Sequence, residues 1–273
     1  MIAVDLETPT ERNSMNRFAR YPSLEGRVVF ISGGTTGIGT TFVEHFHAQG
    51  AKVGFIGRNV DAARQLLGRI AAGANATRAP APLFMRCDVT DIDALRVAIA
   101  QTREAFGAIG ALLNNAANDQ RHTVEEVTPE FWDESMNVNL RHQFFAAQAV
   151  VPDMVALGGG SIVNLGSISW MIKGAGYPAY ATCKAAIHGL TRSLAKDLGK
   201  RNVRVNALVP GWVMTDKQLT TWVTPESEKE IDANQCLPGR LMSEDIATMA
   251  LFLAANDSRM CTAQSFVVDA GWS

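Results

Sequence analysis

The chain has 273 residues, of which 47% are hydrophobic and 19% charged, and its formal net charge at pH 7 is −2. A chain of this length can bury a full hydrophobic core, and its small net charge gives no reason to expect nucleic acid or an acidic membrane as a partner. No apolar run approaches the ~20 residues that span a bilayer. The 4 cysteines form neither a Cys-x-x-Cys pair nor a metal-ligand spacing. We therefore expect a reduced, cytoplasmic protein that binds no metal.

The N-terminal segment 1–23 differs from the rest of the chain. It mixes Glu, Arg, Asn, Thr and Pro without sustained periodicity, and it lacks the apolar segment of a signal peptide. We expect this arm to be flexible or packed on a neighbouring subunit. Residues 24–273 form the single predicted domain.

From Arg27 onward, short apolar runs alternate with longer amphipathic stretches. The predicted strands are Arg27–Ser32, Lys52–Gly57, Leu83–Cys87, Ala111–Asn114, Ser161–Leu165, Val203–Val209 and Ser265–Val268. The predicted helices are Gly37–Gln49, Asp61–Ala72, Asp91–Phe106, Pro129–Leu157, Tyr180–Lys200 and Ser243–Ala255. Several of the strands are continuous apolar runs, as expected for strands that are buried on both faces. The alternation predicts an α/β fold in which one doubly wound, seven-stranded parallel sheet carries helices on both faces.

The first strand runs directly into a glycine-rich turn, Ser32-Gly33-Gly34-Thr35-Thr36-Gly37-Ile38-Gly39, and a helix follows. Glycines at such a turn let the backbone approach a pyrophosphate, whose oxygens then face free N–H groups at the helix N-terminus. A plain glycine-rich turn is the alternative. In this place of an alternating chain, the turn favours a Rossmann dinucleotide site. Its candidate cofactor residues are Gly33, Thr35, Thr36, Gly37, Ile38 and Gly39.

The end of the second predicted strand bears on the choice between NAD and NADP. An acidic residue there would bond the ribose hydroxyls and repel an added phosphate, but the chain has Gly57 followed by Arg58. A guanidinium can pair with a 2′-phosphate, so we expect NADP as the preferred cofactor and NAD as the second option. The alternative is that Arg58 is an ordinary solvated side chain.

Asp88 and Val89 follow the third predicted strand. The Asp88 carboxylate could accept a hydrogen bond from an adenine amino group, which makes the two residues candidates for the adenine end of the cofactor. Asp88 could also cap the helix that begins near Asp91, and the two roles are compatible.

Tyr180 and Lys184 lie four residues apart in a predicted helix, so their side chains emerge on the same face. A free phenol has a pKa of about 10 and is a poor base at neutral pH, but a nearby ammonium lowers that pKa. Ser167 follows a predicted strand, and parallel strands open into a ligand crevice at their carboxyl ends. We therefore predict that Tyr180 transfers a proton, that Lys184 lowers its pKa, and that Ser167 donates to the substrate oxygen. Singly, each residue has an ordinary structural alternative.

These motifs resemble those of the short-chain dehydrogenase/reductase family over the whole of 24–273. The family's T-G-x-x-x-G-x-G sequence corresponds to 32–39, and its Asn-Asn-Ala-Gly turn to 114–117, with Ala in place of the last Gly. The resemblance implies an oxidoreductase that moves a hydride between NADP(H) or NAD(H) and a small hydroxylated substrate. It implies that the catalytic residues are Asn139, Ser167, Tyr180 and Lys184. It adds further cofactor residues, which are Asn115, Ala116, Tyr180, Lys184, Pro210, Gly211, Val213 and Thr215.

Four segments, 118–122, 139–142, 166–170 and 235–240, resemble bacterial sugar dehydrogenases of this family. This closer resemblance implies oxidation of the anomeric carbon of an aldose, a pentose or a 6-deoxyhexose, to the lactone. The NAD-type sugar dehydrogenases have Asp at the end of the second strand, so the choice of cofactor is not carried over. One alternative is a dehydrogenase or reductase of a ketone, polyol or keto-acid intermediate of sugar catabolism. Another is a non-catalytic scaffold that binds NADP.

The resemblance also implies which residues surround the substrate. The expected substrate residues are Asn118, Ser169, Trp170 and Trp212. Either tryptophan could instead be a core or subunit-contact residue, and Arg121 and His122 are either structural hydrogen-bonding residues or substrate ligands. The segment 213–240 is expected to form a lid over the site. The family's homotetramer is expected to form through the helices 129–157 and 180–200 and through the C-terminal edge.

Overall fold

The computed structural model describes residues 18–73 and 78–273. The strands are β1 (Val28–Ser32), β2 (Lys52–Gly57), β3 (Leu83–Arg86), β4 (Ile109–Asn114), β5 (Gly160–Leu165), β6 (Val203–Pro210) and β7 (Ser265–Val268). They form one sheet in the order β3-β2-β1-β4-β5-β6-β7, and every neighbouring pair is parallel. The predicted seven-stranded α/β fold is confirmed, and each predicted strand matches its observed bounds to within two residues.

Helices cover both faces of this sheet. They are α1 (Ile38–Ala48), α2 (Val60–Gly73), α3 (Ile92–Phe106), α4 (Pro129–Met136), α5 (His142–Ala156), α6 (Pro178–Leu198), α7 (Asp216–Thr221), α8 (Pro225–Asn234) and α9 (Ser243–Ala254). α1, α2 and α9 contribute buried apolar side chains to the core on one face, and α3, α5 and α6 to the core on the other. β1, β4 and β6 are buried along their whole length because both faces are covered, which explains their continuous apolar runs. Among the described helices, none combines the length and the apolar character needed to cross a membrane.

The helix predicted over 129–157 is interrupted. α4 and α5 are joined by a π-helical turn, Asn137–Arg141, so this region is not one regular α-helix. A π turn widens the helix locally and changes which way the following side chains point. The spacing of apolar residues does not reveal a π turn. The turn only shifts the register of the apolar pattern, and the same pattern continues on both sides of it.

The folded domain begins earlier than predicted. The ring of Phe18 packs against that of His45 on α1, with 5.8 Å between the ring centres. Tyr21 packs against the hydrophobic core, and the Ser23 hydroxyl accepts a hydrogen bond from the backbone N–H of Asn256 at 3.0 Å. Residues 18–23 of the expected arm therefore belong to the domain, while 1–17 lie outside the described residues.

Candidate active site

A cleft of about 730 Å³ opens at the carboxyl end of the sheet. The chain order of the strands reverses between β1 and β4, and sheets of this kind bind ligands in the crevice outside that point. The predicted cofactor residues that line the cleft are Gly33, Thr35, Thr36, Ile38, Arg58, Asp88, Val89, Asn115, Ala116, Tyr180, Lys184, Pro210, Gly211, Val213 and Thr215. Gly37 and Gly39 do not line it. They shape the turn beneath it.

Steric contacts explain the glycines in the turn between β1 and α1. Gly33 has a φ of +69°, and a Cβ there would stand 2.7 Å from the Cα of Ala116. A Cβ on Gly39 would collide with the carbonyl oxygen of Gly33. Within the described chain, no side chain caps the N-terminus of α1, so its first N–H groups are available to an anion. The turn therefore fits the pyrophosphate of a dinucleotide.

Ser32 and Asn115 fasten this turn to the neighbouring strand. The Ser32 hydroxyl accepts hydrogen bonds from the backbone N–H groups of Asn115 and Ala116, at 3.0 and 3.1 Å. The side-chain amide of Asn115 donates to the carbonyl oxygens of Ser32 and Gly33, at 3.1 and 2.9 Å. Serine thus supplies the hydroxyl acceptor in the position where the family motif has threonine.

Arg58 is exposed where the second strand ends, and its guanidinium lies 3.6 Å from the Asp88 carboxylate. Gly57 packs so closely on Thr35 that a Cβ there would collide with the threonine hydroxyl. Packing therefore excludes an acidic side chain at this position unless Thr35 moves. The charge that this strand end presents to the cleft is that of Arg58.

Asp88 is held by its own loop. Its carboxylate accepts hydrogen bonds from the backbone N–H and the hydroxyl of Thr90, at 3.0 and 2.9 Å. Burial acts to raise the pKa of Asp88, but the hydrogen bonds from Thr90 and the charge of Arg58 lower it overall. The suggestion that Asp88 caps the next helix is wrong, because Asp91 caps α3 by accepting from the N–H of Ala94.

Tyr180 and Lys184 lie on one face of α6, as predicted, and both line the cleft. The Nζ atom of Lys184 lies 5.4 Å from the centre of the Tyr180 ring and donates to the carbonyl oxygen of Leu165 at 2.7 Å. Lys184 is almost completely buried, and burial lowers its pKa to about 8. An ammonium with such a pKa can change its charge near neutrality.

In the protein without ligands the pKa of Tyr180 is raised overall, so burial outweighs the lowering expected from Lys184. Burial raises that pKa, the Asp119 carboxylate adds to the rise, and a hydrogen bond with Ser167 offsets only part of it. The physical reason is that the phenolate loses its hydrating water on burial, and the nearby hydrogen bond and positive charge only partly replace that stabilisation. Tyr180 therefore carries its proton in the ligand-free protein.

Ser167 stands next to Tyr180 on the cleft wall, immediately after β5. Its hydroxyl accepts a hydrogen bond from the backbone N–H of Ser169 at 3.1 Å, which caps the short 3-10 turn Ile168–Trp170. This contact fixes the serine rotamer. The two hydroxyls of Ser167 and Tyr180 can then bind the same substrate oxygen.

Asn139 lies in the π-helical turn, fully buried, and does not line the cleft. Its side-chain oxygen accepts from the backbone N–H of Asn118 at 2.8 Å. Its side-chain nitrogen donates to the carbonyl oxygens of Asn118 and Ser135, at 3.1 and 3.0 Å. These bonds hold the loop that follows β4, so the geometry gives Asn139 a positioning role.

Of the four residues expected at the substrate, the structure brings Ser169 and Trp212 to the cleft. The indole N–H of Trp170 instead donates to His188 at 3.1 Å, away from the lining residues. Asn118 bonds Asn139 through its backbone, and its side chain does not line the cleft. The structure therefore does not bring Trp170 and Asn118 to the substrate side of the site.

The expected lid, 213–240, contains two helices that the sequence analysis did not predict, α7 and α8. Asp119, in the loop after β4, accepts hydrogen bonds from Lys217 and, at 2.8 Å, from Gln218 of α7. Gln218 in turn accepts from the indole N–H of Trp212 at 3.0 Å. These contacts attach the lid to the opposite wall of the cleft. The two bonds to Asp119 join residues that are 98 and 99 positions apart, so no local pattern in the sequence predicts them.

The structure separates the roles of Arg121 and His122. His122 accepts a hydrogen bond from the backbone N–H of Ala179 at 3.3 Å and is buried, which is a structural role. Arg121 lines the cleft. Tyr177 and Trp272 also line it, although the sequence analysis did not include them in the site. Within the described residues, no group of His, Cys, Asp and Glu side chains could hold a metal ion.

Comparisons with known proteins agree with this geometry. The family model described as enoyl-(acyl carrier protein) reductase matches residues 33–273. The D-xylose 1-dehydrogenase of Caulobacter vibrioides is 43% identical over 254 residues, which cover 93% of this chain and 98% of that protein. A Rhizobium meliloti protein named "Probable galactose dehydrogenase GalD" is 42% identical over 253 residues, covering 93% of this chain and 97% of that protein. A solved short-chain dehydrogenase/reductase of Mycobacterium ulcerans is 28% identical, has a TM-score of 0.86, and is matched over 92% of this chain and 90% of that one.

The chain belongs to the short-chain dehydrogenase/reductase family. It is an oxidoreductase that acts on CH–OH groups, and its hydride carrier is a nicotinamide dinucleotide, as in the rest of the family. The resemblance drawn from the sequence motifs is thereby confirmed.

Proposed function

We propose that this enzyme oxidises the anomeric carbon of an aldose, a pentose or a 6-deoxyhexose, to the lactone, and that it prefers NADP. The observation that carries the proposal is the meeting of Ser167, Tyr180 and Lys184 in one cleft, beside a glycine turn that suits a pyrophosphate. The names of the two relatives, a D-xylose and a galactose dehydrogenase, support a sugar as the substrate.

The proposed cofactor site runs along the carboxyl ends of the strands. The turn 33–39 and the N-terminus of α1 would hold the pyrophosphate, and Asp88 with Val89 would border the adenine. Arg58 would pair with the 2′-phosphate of NADP, in competition with its present partner Asp88. The residues proposed for the nicotinamide half are Asn115, Ala116, Tyr180, Lys184, Pro210, Gly211, Val213 and Thr215. When bound, the oxidised cofactor supplies the hydride acceptor and a positive charge.

The protein's own task is to hold the C1 hydroxyl of the sugar and to take its proton. Ser167 donates a hydrogen bond to the hydroxyl oxygen. Tyr180 must first lose its phenolic proton to solvent, and as phenolate it then accepts the hydroxyl proton as the C1–H bond breaks and the lactone carbonyl forms. Burial raises the pKa of Tyr180, so proton transfer to it requires positive charge nearby. The Lys184 ammonium, 5.4 Å from the Tyr180 ring centre, provides one such charge.

The test is turnover by the purified protein with NADP or NAD and a panel of D-xylose, L-arabinose, D-galactose and D-fucose, the matching polyols and keto acids. We expect NADPH formation with aldoses, and a lactone that hydroxylamine traps as a hydroxamate. Turnover of polyols or keto acids alone would contradict an aldose substrate. Faster turnover with NAD would contradict the proposed cofactor preference.

A matched pair of tyrosine variants tests the proton transfer. Tyr180→Phe removes only the phenolic hydroxyl and is expected to abolish turnover. Tyr21→Phe makes the same change at a tyrosine that packs on the core outside the cleft, and it is expected to leave turnover intact. Undiminished activity of Tyr180→Phe would eliminate the proposed role.

We further propose that the enzyme is a homotetramer. Phe144 on α5 and Val267 on the edge strand β7 are 42% and 40% exposed, and both lie on surfaces expected to meet a neighbouring subunit. Exposed apolar side chains of this kind favour association when they form part of one patch. Light scattering is expected to give the mass of four chains, and the mass of one chain would contradict the proposal.

A further inference from the structure

Arg121 occupies an unusual position on the cleft wall. Its guanidinium carbon lies 4.2 Å from the centre of the Tyr177 ring and 5.1 Å from that of Trp222, so it is held between two aromatic rings. Tyr177 meets Tyr180 edge to face, with 6.2 Å between their ring centres. The Tyr177 ring thus contacts both Arg121 and Tyr180, the proposed proton-transfer group.

The hydrogen-bonding capacity of Arg121 is unused. Within residues 18–73 and 78–273, its guanidinium makes no hydrogen bond and has no carboxylate within ion-pair distance, and its Nε–H is buried without an acceptor. Asp119 lies two positions before Arg121 in the chain, but Lys217 and Gln218 already engage both of its carboxylate oxygens. A guanidinium offers five N–H donors in a fixed plane, and leaving a buried donor unpaired costs free energy. The Arg121 guanidinium is therefore available to a hydrogen-bond acceptor that comes from outside the described chain.

A second unsatisfied group lies in the same cleft. The hydroxyl of Ser169 is buried and has no hydrogen-bond partner in the described part of the chain. Ser169 stands two residues after Ser167, which touches Tyr180. Both residues line the cleft. The terminal N–H groups of Arg121 are not buried and can be reached by an oxygen-rich ligand, whereas the Arg121 Nε–H and the Ser169 hydroxyl must turn towards the cleft to bond it.

The charges near Tyr180 oppose each other. The Asp119 carboxylate acts to raise the pKa of that phenol, and the Arg121 guanidinium acts to lower it. Asp119 is also paired with Lys217, so charge alone does not select between an acid and a neutral ligand, and it is the names of the two relatives that favour a neutral sugar. The planar fork of an arginine can bond two neighbouring oxygens at once, which suits the vicinal hydroxyls of a sugar ring.

We propose that Arg121 determines substrate specificity by donating hydrogen bonds to two adjacent hydroxyl oxygens of a neutral aldose, with Ser169 bonding the same sugar. This inference rests on the proposed function, since it names the residue that recognises the sugar away from C1. The aromatic rings of Tyr177 and Trp222 hold the guanidinium in place, so little conformational freedom is lost when the sugar binds.

The test compares three variants on a series of sugars. The substrates are D-xylose or D-galactose, whichever the enzyme oxidises faster, and the 2-, 3- and 4-monodeoxy analogues of that sugar. Arg121→Met keeps an apolar side chain of similar length but has no donor, and Arg121→Lys keeps the charge without the fork. Trp222→Leu removes one of the two rings that flank the guanidinium and tests whether that ring holds it in place.

The unmodified enzyme is expected to disfavour the analogues that lack a contacted hydroxyl by about tenfold or more in kcat/KM. Arg121→Met is expected to lower kcat/KM for the parent sugar by a similar factor while barely affecting those analogues, so the discrimination disappears. Arg121→Lys is expected to restore part of the discrimination. Trp222→Leu is expected to weaken it only in part, because Tyr177 still flanks the guanidinium. The KM for the cofactor is expected to stay within about twofold, because Arg121 contacts the sugar alone.

Three results would overturn the inference. In the first, Arg121→Met lowers kcat/KM equally for the parent sugar and every analogue. In the second, Arg121→Met raises the KM for the cofactor as much as it lowers kcat/KM for the parent sugar. In the third, D-galacturonate is oxidised in preference to D-galactose, which would make Arg121 a carboxylate site.

Calorimetric titration of the cofactor-loaded Tyr180→Phe variant separates this inference from the proposed function. If no aldose binds or reacts, both fail. If D-xylose or D-galactose binds, and binds equally well after Arg121→Met is added, only the inference about Arg121 fails. Binding that weakens about tenfold on adding Arg121→Met supports it without any need for turnover.

Discussion

Asp119 and Lys217 are 98 positions apart in the chain, yet their side chains form an ion pair across the mouth of the cleft. The pair joins the loop after β4 to α7, the first helix of the lid, and Gln218 adds a second bond to the same carboxylate. Burial alone would raise the pKa of Asp119, but Lys217 and Gln218 lower it overall. Asp119 therefore remains charged, and its charge raises the pKa of Tyr180.

Two substitutions at this ion pair are expected to move the pH profile in opposite directions. Asp119→Asn removes the negative charge near Tyr180, so the ascending limb of kcat/KM for alcohol oxidation should shift to lower pH. Lys217→Met leaves the carboxylate without its cation, so the same limb should shift to higher pH. The measurement is kcat/KM as a function of pH for both variants. Shifts in one common direction would mean that the pair acts through lid position and not through charge.

Arg58→Asp is expected to move the cofactor preference from NADP towards NAD by about ten- to a hundredfold in the ratio of kcat/KM values. The change removes the guanidinium proposed for the 2′-phosphate and adds a second carboxylate beside Asp88. Arg64→Asp is the matched control, since it makes the same charge change at an exposed position on α2 that does not line the cleft. An equal ratio in both variants would show that Arg58 is an ordinary surface side chain.

Gly39→Ala is expected to destabilise the protein by about 1–3 kcal/mol and to weaken cofactor binding strongly, because the new methyl group collides with the Gly33 carbonyl. Gly68→Ala is the control, because a Cβ there meets no atom within 4 Å. In the interior of α2 it should instead stabilise by about 0.5–1 kcal/mol. Denaturant unfolding and cofactor titration of the two variants provide the measurements. Unchanged cofactor affinity in Gly39→Ala would contradict the pyrophosphate site.

We expect the buried side chain of His142 to make the folded protein less stable in acid. It is fully buried, one ring nitrogen donates to the carbonyl oxygen of Ala116 at 3.1 Å, and burial lowers its pKa from 6.5 to about 4. The folded state thus binds fewer protons than the unfolded state between these pKa values, so the free energy of unfolding is highest above pH 6.5 and falls as the pH drops towards 4. From pH 7 to pH 5 this group alone accounts for a loss of about 2 kcal/mol.

Unfolding of the unmodified protein and of His142→Gln at the two pH values tests this assignment. The introduced side-chain amide does not titrate, so the variant is expected to lose about 2 kcal/mol less than the unmodified protein over the same interval. The variant is expected to be less stable at pH 7, since its side chain fills the site less well. Equal losses in both proteins would assign the acid sensitivity to other groups.

Much of the site follows from local sequence. The glycine turn 33–39 directly follows a buried strand, and the spacing of Tyr180 and Lys184 places both on one helix face. Ser167 could be predicted to face the cleft from its place near the end of a parallel strand. In each case the relevant geometry is fixed within a few residues, by the period of a helix or by the alternation of strand and helix.

Other features depended on contacts that no local pattern encodes. The π-helical turn that carries Asn139 leaves the apolar period intact on both sides. Trp170 follows the site serine closely in sequence, but its hydrogen bond to His188 takes it away from the cleft. The pKa of Tyr180 depends on burial and on Asp119, neither of which the spacing to Lys184 reveals.

The order of residues along the chain was enough to predict the parallel sheet, because the alternation of strand and helix is visible over short stretches of sequence. It also made the glycine turn, the serine, the tyrosine and the lysine candidates for the site. Only the folded molecule shows which side chains line the cleft and how the lid is attached. It also shows that Arg121 has no hydrogen-bond partner in the described chain. Those properties depend on the distances between segments that lie far apart in the chain and on how much each segment shields the others from solvent. Both are defined only once the chain has folded.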